Sequence, residues 1–367
     1  MPVRPKSPDY VIFFAIIGLL GFGIVMVYSS SAVSAYVNYN DSYYFLKRQL
    51  IWATLGFLTM LLTMNIDYHI WRKLAKPTMI ITIILLILVL IPGLGKVVNG
   101  ARRWLGFGSL YVQPSEMAKM AMVLFTANNL AGAQNKIENF VKGVIPQLLM
   151  LLVVFGLILK EPDLGTALVI SGTVFILLFA AGAKLSHLGS LGAVGVVGIA
   201  AAIIAEPYRL KRLLAFSDPW ADPLNSGYHI IQSLYAIGSG GLFGVGLGRS
   251  REKFLYLPEP HTDFIFAILG EELGFIGTAT VIILFFLFAW RGFKIAISAP
   301  DTYGSLLAGG LTSIIVLQAL MNIAVVTASM PVTGIPLPFI SFGGSALIFT
   351  MAGVGILLNI SRYASLK

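Results

Sequence analysis

Four of the 16 acidic residues in this 367-residue chain fall within one short stretch, Leu257 to Gly277, which reads LPEPHTDFIFAILGEELGFIG. They are Glu259, Asp263, Glu271 and Glu272, placed where a polar loop runs into an apolar helix. A carboxylate in hydrocarbon is costly, so acids at such a junction are functional candidates by default. Asp263 stands at the junction itself, where a carboxylate could take a proton from a substrate hydroxyl. Its competing structural role is to cap the helix, for which Thr262 or Asp263 is suited. Ala267, Gly270, Glu271 and Gly274 follow at helical spacing and form a face of mostly small residues. A rise of about 1.5 Å per residue puts Glu271 roughly 12 Å below Asp263. Glu272 is turned from that face by about 100°. For this glutamate pair a buried ion pair outweighs catalysis. Glu259, His261 and Asp263 alternate, so on an extended strand they would point one way and could take a divalent cation, Mg2+ or Mn2+.

The elements that must position these residues are membrane helices. The chain is 57% hydrophobic and only 11% charged, far from a soluble globular composition. Ten apolar runs are long enough to span a bilayer, near 10–31, 47–65, 77–94, 114–131, 141–160, 164–182, 186–205, 263–290, 303–330 and 341–361. Without period-two polarity a transmembrane barrel is excluded. The expected fold is all-α: a polytopic integral membrane protein of ten helices, one domain over 1–367, with a long loop between spans 7 and 8. There is no cysteine, hence no disulfide and no thiolate metal site. The basic N-terminus and SSSAVSA faintly resemble a signal-peptidase site. The apolar run is too long for a typical signal, so it is expected to remain as span 1.

Short-loop Lys and Arg number twelve on the side of the N-terminus and six on the other. That bias places both termini inside. The long loop 206–262 then lies outside and carries Arg209, Lys211, Arg212, Arg249, Arg251 and Lys253. A basic outer surface calls for an anionic partner, and lipid headgroups alone could satisfy it. Nucleic acid is not expected there.

With this parity the outer ends of spans 3 to 10 bring Arg102, Arg103, Glu116, Lys119, Lys160, Asp163, Arg209, Asp263 and the 331–345 turn, with Ser341, toward one another. Glu116 and Lys119 are three apart on one helix face. Lys160, Glu161, Pro162 and Asp163 make a charged corner that could equally be a set of neutralising pairs. His229–Ile237 has the apolar content of a short interfacial helix. The glycines 238, 240, 241, 244, 246 and 248 suggest a flexible or re-entrant turn, tolerated at membrane depth only under protein or water. Gly244-x-Gly246-x-Gly248 is no phosphate-binding fingerprint, since no strand precedes it and no Gly-Lys-Ser/Thr follows. The four histidines form no HExxH. Asn40-Asp41-Ser42 matches a glycosylation sequon and is weak alone.

ARRW (101–104), QPSEMAK (113–119), EPDLGTA (161–167), the DPWADP…GYHIIQS loop, LPEPHTDFIFAILGEELG and PVTGIPLPFISFGGSAL (331–347) occur in one order along ten spans. Together they resemble the SEDS family of bacterial membrane proteins over nearly the whole chain. The short tails and lean loops are most similar to its RodA branch, ahead of the FtsW and sporulation branches. The resemblance implies a peptidoglycan glycosyltransferase of the bacterial cytoplasmic membrane, acting in cell elongation and shape. It polymerises lipid II, a disaccharide-pentapeptide on undecaprenyl pyrophosphate, at the outer face, beside a class B penicillin-binding protein. By the match to HTDFIF, Asp263 corresponds to the family's essential aspartate.

Such an inverting transfer needs one carboxylate to deprotonate the acceptor 4-hydroxyl. Pyrophosphate leaves as a weak base and needs positive charge rather than a proton. Arg102, Lys119, Lys160, Arg209, Lys211 and Arg212 are candidates for that charge, a divalent cation being the one cofactor left open. A lipid II flippase and a non-catalytic scaffold for the penicillin-binding protein are the alternatives.

Overall fold

The computed structural model describes residues 6–98, 100–107, 110–253, 257–258 and 260–365. Glu259, one of the three candidate cation ligands, lies outside the described residues, as do the terminal Arg4 and Lys367. The described chain is built from twelve α-helices and one small sheet. The helices are α1 (Tyr10–Tyr39), α2 (Tyr44–Asn65), α3 (His69–Leu90), α4 (Pro114–Gly132), α5 (Ile145–Lys160), α6 (Leu164–Ala180), α7 (Leu185–Ile204), α8 (Pro207–Ser217), α9 (Tyr228–Gly240), α10 (Ile265–Ser298), α11 (Thr302–Val326) and α12 (Gly344–Ser361).

Each of the ten apolar runs is helical. Eight helices are long and apolar enough to cross a membrane: α1, α2, α3, the Phe140–Lys160 segment that ends in α5, α7, α10, α11 and α12. The other two runs are α4, which carries the buried Glu116 and Lys119, and α6, of 17 residues. The count of ten rests on these two shorter or more polar helices.

Enclosure ranks the helices. Of their apolar windows, 61% is buried in α11 and 72% in α12, against 6% in α7. So α11 and α12 form the centre and α7 stands at the rim. α12 lies along α2, and glycines permit the approach. A β-carbon at Gly344 would strike the Trp52 ring, and one at Gly355 would strike the backbone of Met60. Small residues at such contacts let helix backbones close in. Both ends of the described chain meet at one end of the bundle. There Lys6 N donates to Arg362 O (2.8 Å), and Asp9 caps α1 while receiving Arg291 Nη2 (2.5 Å).

The connection 96–114 is more ordered than an irregular loop. It forms an antiparallel meander of β1 (Gly95–Val98), β2 (Ala101–Phe107) and β3 (Leu110–Val112), with an irregularity at Lys96/Val97. The 206–262 connection contains two helices, α8, which the apolar runs do not reveal, and α9, which covers the short helix expected at 229–237. α8 is amphipathic, and its alternation of basic and apolar residues hides it from a search for apolar runs.

Beyond α9 the chain does re-enter the bundle. α10 is interrupted at Gly274, whose φ of 66° and ψ of −161° are open almost only to glycine. The segment 241–246 docks into this break: Val245 N donates to Glu271 O (2.9 Å), Gly246 N to Glu272 O (3.1 Å), Phe275 N to Gly241 O (2.8 Å) and Ile276 N to Leu242 O (3.2 Å). Backbone groups freed by the kink are thus paired with backbone groups of the turn, as low-dielectric surroundings demand.

Candidate active site at the end of the bundle opposite the termini

Asp263 is half-buried in the turn 260–264, just ahead of α10. The residue at the cap position is Phe264, and no side chain caps that helix. The structural alternative for Asp263 is therefore not realised. Its Oδ2 lies 3.5 Å from where a β-carbon on Gly334 would sit, and Gly334 has a φ of +74°. The carboxylate thus packs beside this turn, and it is the positive φ that calls for glycine there.

The 331–343 turn is laced to the Asp263 turn at several points. Ser341 Oγ donates to Thr262 O (2.6 Å) and receives Leu337 N (2.8 Å), while Phe342 N donates to His261 O (2.9 Å). From below, Asn322 Nδ2 on α11 donates to both Asp263 O (2.8 Å) and Ile335 O (2.7 Å). One turn earlier on α11, Gln318 Nε2 donates to Pro336 O (2.9 Å), and Gln318 Oε1 receives Lys119 Nζ (2.5 Å). Lys119 in turn pairs with Glu116 at 2.8 Å, both side chains more than nine-tenths buried. A cavity of about 30 Å3 lies beside Glu116, Lys119, Gln318 and Thr350, room for about two water molecules.

Positive charge comes from two directions. Arg212 on α8 donates from Nη1 to Val332 O (3.3 Å), and it stands close enough to Asp263 and Arg103 for their charges to act on it. Arg103 donates from Nε to Glu161 O (2.9 Å) and from Nη2 to Pro162 O (2.5 Å). Its neighbour Arg102 donates instead to Leu90 O at the end of α3 (3.1 Å). The register shifts at these two arginines, leaving Arg103 without a cross-strand partner in a bulge, and of the pair it is Arg103, and not the expected Arg102, that bonds to the α5–α6 corner.

Helix ends add to this field. Gln113 N, at the head of α4, donates to Ser345 Oγ in the first turn of α12 (3.2 Å). Gly165 in the first turn of α6 abuts Ile335 and Thr333. Three helix N-termini thus meet beside the 331–343 turn, each the positive end of a macrodipole.

The remaining candidates are used differently. Asp163 caps α6, receiving Thr166 N and Oγ1 (both 3.0 Å) and Gln113 Nε2 (3.4 Å). Lys160 and Lys211 are exposed and form no ion pair among the described residues. Arg209 is buried, donating to Tyr208 Oη (2.9 Å) and Ala202 O (2.9 Å), and so fastens α8 to α7. Glu161 is wholly buried, and burial, reinforced by the charge of Asp163 and opposed by Arg103, pushes its carboxyl up to about 9. It is neutral at pH 7.

The extended strand that would align Glu259, His261 and Asp263 is not formed, because 260–264 is a turn. The His261 ring packs against Phe45 and Phe342. Among the described residues no group of three His, Asp or Glu is placed to hold a metal ion.

The deep glutamates bond to the returning chain and to α1. Glu272 receives Lys253 Nζ (2.8 Å) and Ser29 Oγ (2.6 and 2.7 Å), with 0% and 4% of the two charged side chains exposed. Glu271 receives Ser250 Oγ and Arg251 N (2.7 Å). Both hold the returning segment 250–253 against the broken helix, which the expected ion pair described without its partner.

Sequence reasoning did not single out Gln318 and Asn322. Two amides four apart in the apolar α11 were the available signal, because a buried polar side chain in such a helix must find a partner.

Fold and site define a polytopic helical membrane protein with a half-buried aspartate in a cationic, helix-N-terminal setting at one end of the bundle. Residues 10–366 match the family model described as "Cell cycle protein", covering FtsW, RodA and SpoVE, and the chain belongs to that family. It is 50% identical to stage V sporulation protein E of Bacillus subtilis, over 99% of this chain and all of that protein. It is 45% identical to a probable peptidoglycan glycosyltransferase FtsW of Trichlorobacter lovleyi, over 98% of this chain and 94% of that one. Among solved structures, it resembles RodA of Thermus thermophilus at 30% identity and a TM-score of 0.72, covering 98% and 99% of the two chains. That protein has also been solved with one aspartate replaced by alanine. A chain from a peptidoglycan synthase complex that couples polymerization and crosslinking gives a TM-score of 0.79 at 30% identity, over 97% of this chain and 98% of that one.

Proposed function

We propose that this chain is a peptidoglycan glycosyltransferase that extends glycan strands from lipid II at the outer face of the bacterial cytoplasmic membrane, with both termini inside. The observation that carries the reading is the Asp263 carboxylate seated against Gly334, with Arg212 and the paired backbone of the 331–343 turn around it. In the proposed step Asp263 takes the proton of the acceptor 4-hydroxyl. The freed oxygen forms the bond to the donor anomeric carbon, and the bond to phosphate breaks on the opposite face. The electron pair leaves with undecaprenyl pyrophosphate. Arg212, Arg103 and the N-termini of α4, α6 and α12 stabilise the charge that develops there.

The inner connection between α10 and α11 is short, and the candidate acid and its cationic neighbours lie at the Asp263 end, which supports polymerisation over flipping. A class B penicillin-binding protein is the proposed partner, supported by the similarity to the synthase complex. For the physiological process, the likeness to the rod shape determining protein RodA of Thermus thermophilus supports elongation. The 50% and 45% identities to sporulation and FtsW proteins favour a second reading, septal or spore-wall synthesis. Purified protein given lipid II in detergent, where no leaflets exist, should yield glycan strands. Absence of strands together with lipid II translocation in vesicles would replace this reading with a flippase.

A further inference from the structure

We propose that Asn322 is a positioning residue that sets the reach of Asp263, and that Gln318 links this setting to the Glu116–Lys119 pair. The inference rests on Asp263 being the base of the reaction above. Asn322 is 1% exposed and lies near the C-terminal end of α11, the most enclosed region of the bundle apart from α12. An amide nitrogen has two hydrogens. Here both are used, on Asp263 O at 2.8 Å and Ile335 O at 2.7 Å.

Those two carbonyls belong to the two segments that face each other across the carboxylate, since Ile335 follows Gly334, the residue against Oδ2. One rigid side chain on a central helix thus fixes the distance between the base and the wall it rests on. The same amide leaves its Oδ1 buried without a hydrogen bond. Leaving a buried acceptor without a partner is unfavourable, so the residue is oriented for its two donated bonds rather than for its own satisfaction.

Gln318 repeats the arrangement one turn away. Its Nε2 holds Pro336 O and its Oε1 receives Lys119 Nζ, so the 335–336 backbone is held by two consecutive amides of α11. A change at the Glu116–Lys119 pair is therefore mechanically connected to the Asp263 turn through a short path: the Lys119 and Gln318 side chains, the 335–336 backbone, the Asn322 side chain and the Asp263 carbonyl. Both amides act on backbone carbonyls of the two turns, so their action is on geometry. A misplacement of about 1 Å costs on the order of 10²-fold in rate.

The test uses the full chain in detergent and two readouts. The chain has no cysteine, so Asp263→Cys offers a single thiol whose rate of modification by a small polar reagent reports the order of this turn. Adding Asn322→Ala should raise that rate several-fold. In the otherwise native chain Asn322→Ala should lower kcat for lipid II polymerisation by about 10-fold to 10²-fold while KM changes less than 2-fold. Asn322→Asp, which matches the shape but turns a carboxylate toward two carbonyls, should do the same, and it serves where the alanine variant is not monodisperse. An unchanged thiol rate, or a loss that appears in KM alone, overturns the inference. If the native chain makes no glycan strands, the assignment of function has failed instead, and the thiol rate still decides the role of Asn322.

Discussion

Removing Lys253 is the perturbation whose cost follows most directly from the structure. Its ammonium lies 2.8 Å from Glu272, and the pair is almost completely enclosed. Ser29 Oγ also donates to this carboxylate, and Ser250 N approaches it at 3.4 Å. Lys253→Met therefore leaves a carboxylate partly hydrogen-bonded but without its countercharge, deep in the bundle. Breaking a buried pair on one side costs about 3–5 kcal/mol, whereas replacing both partners by apolar groups is often near neutral. At about 2.1 cal/mol/K per residue the unfolding entropy of a chain this size is roughly 0.8 kcal/mol/K, so the expected fall in Tm is about 4–6 °C. Thermal unfolding of the detergent-solubilised protein measures it. Lys253→Met in a Glu272→Leu background should recover most of the loss. Additive effects of the two substitutions would refute the reasoning, because they would show that Lys253 and Glu272 do not stabilise each other.

Other substitutions separate further parts of the account. Glu161 carries a proton in the folded state up to about pH 9 but loses it near pH 4.5 when unfolded. The folded state then binds more protons than the unfolded one across this window. Its contribution is full below pH 4.5 and declines by up to about 1.4 kcal/mol per unit as pH rises toward 9. Glu161→Gln removes that slope, so lowering pH from 8 to 6 should raise Tm more in the native chain than in the variant; equal shifts would contradict burial of a neutral acid. Gly274→Ala places a β-carbon against Leu242 O and Gly244 N at a φ of +66°. Backbone strain alone costs about 1–3 kcal/mol, and the yield of monodisperse protein should fall sharply. Ser341→Ala removes the bonds to Thr262 O and Leu337 N. If Ser341 fastens the turn, kcat should fall about 10-fold with KM for lipid II nearly constant, whereas a direct substrate contact would raise KM.

What could be read from the residues and what could not differ for physical reasons. Apolar runs report helices that suit a membrane bundle, enclosed or lipid-facing alike, so all ten runs became helices, yet only eight are long and apolar enough to span because α4 buries an ion pair and α6 is short. Runs do not report an amphipathic surface helix, and α8 escaped. The glycines after α9 signalled a re-entrant turn, but only the break at Gly274 shows what receives it. Asp263 was legible because an acid at an interface is conspicuous, and Glu116–Lys119 because a three-residue spacing fixes a shared face. Arg102 and Arg103 were indistinguishable until the fold gave them different partners, Leu90 O for one and the Glu161–Pro162 backbone for the other. Asn322 and Gln318 act on backbone carbonyls far away in sequence, and nothing local marks which carbonyl a buried amide will find.

The central claim is that Asp263 accepts the proton of the transferred sugar hydroxyl. Asp263→Asn keeps the shape of the side chain and removes the base, a contribution typically worth about 10²–10⁴-fold. Purified Asp263→Asn protein, folded as judged by an unchanged unfolding transition, should polymerise lipid II at least about 10²-fold more slowly than the native chain while still binding it. Polymerisation at the native rate by the folded variant would contradict the account.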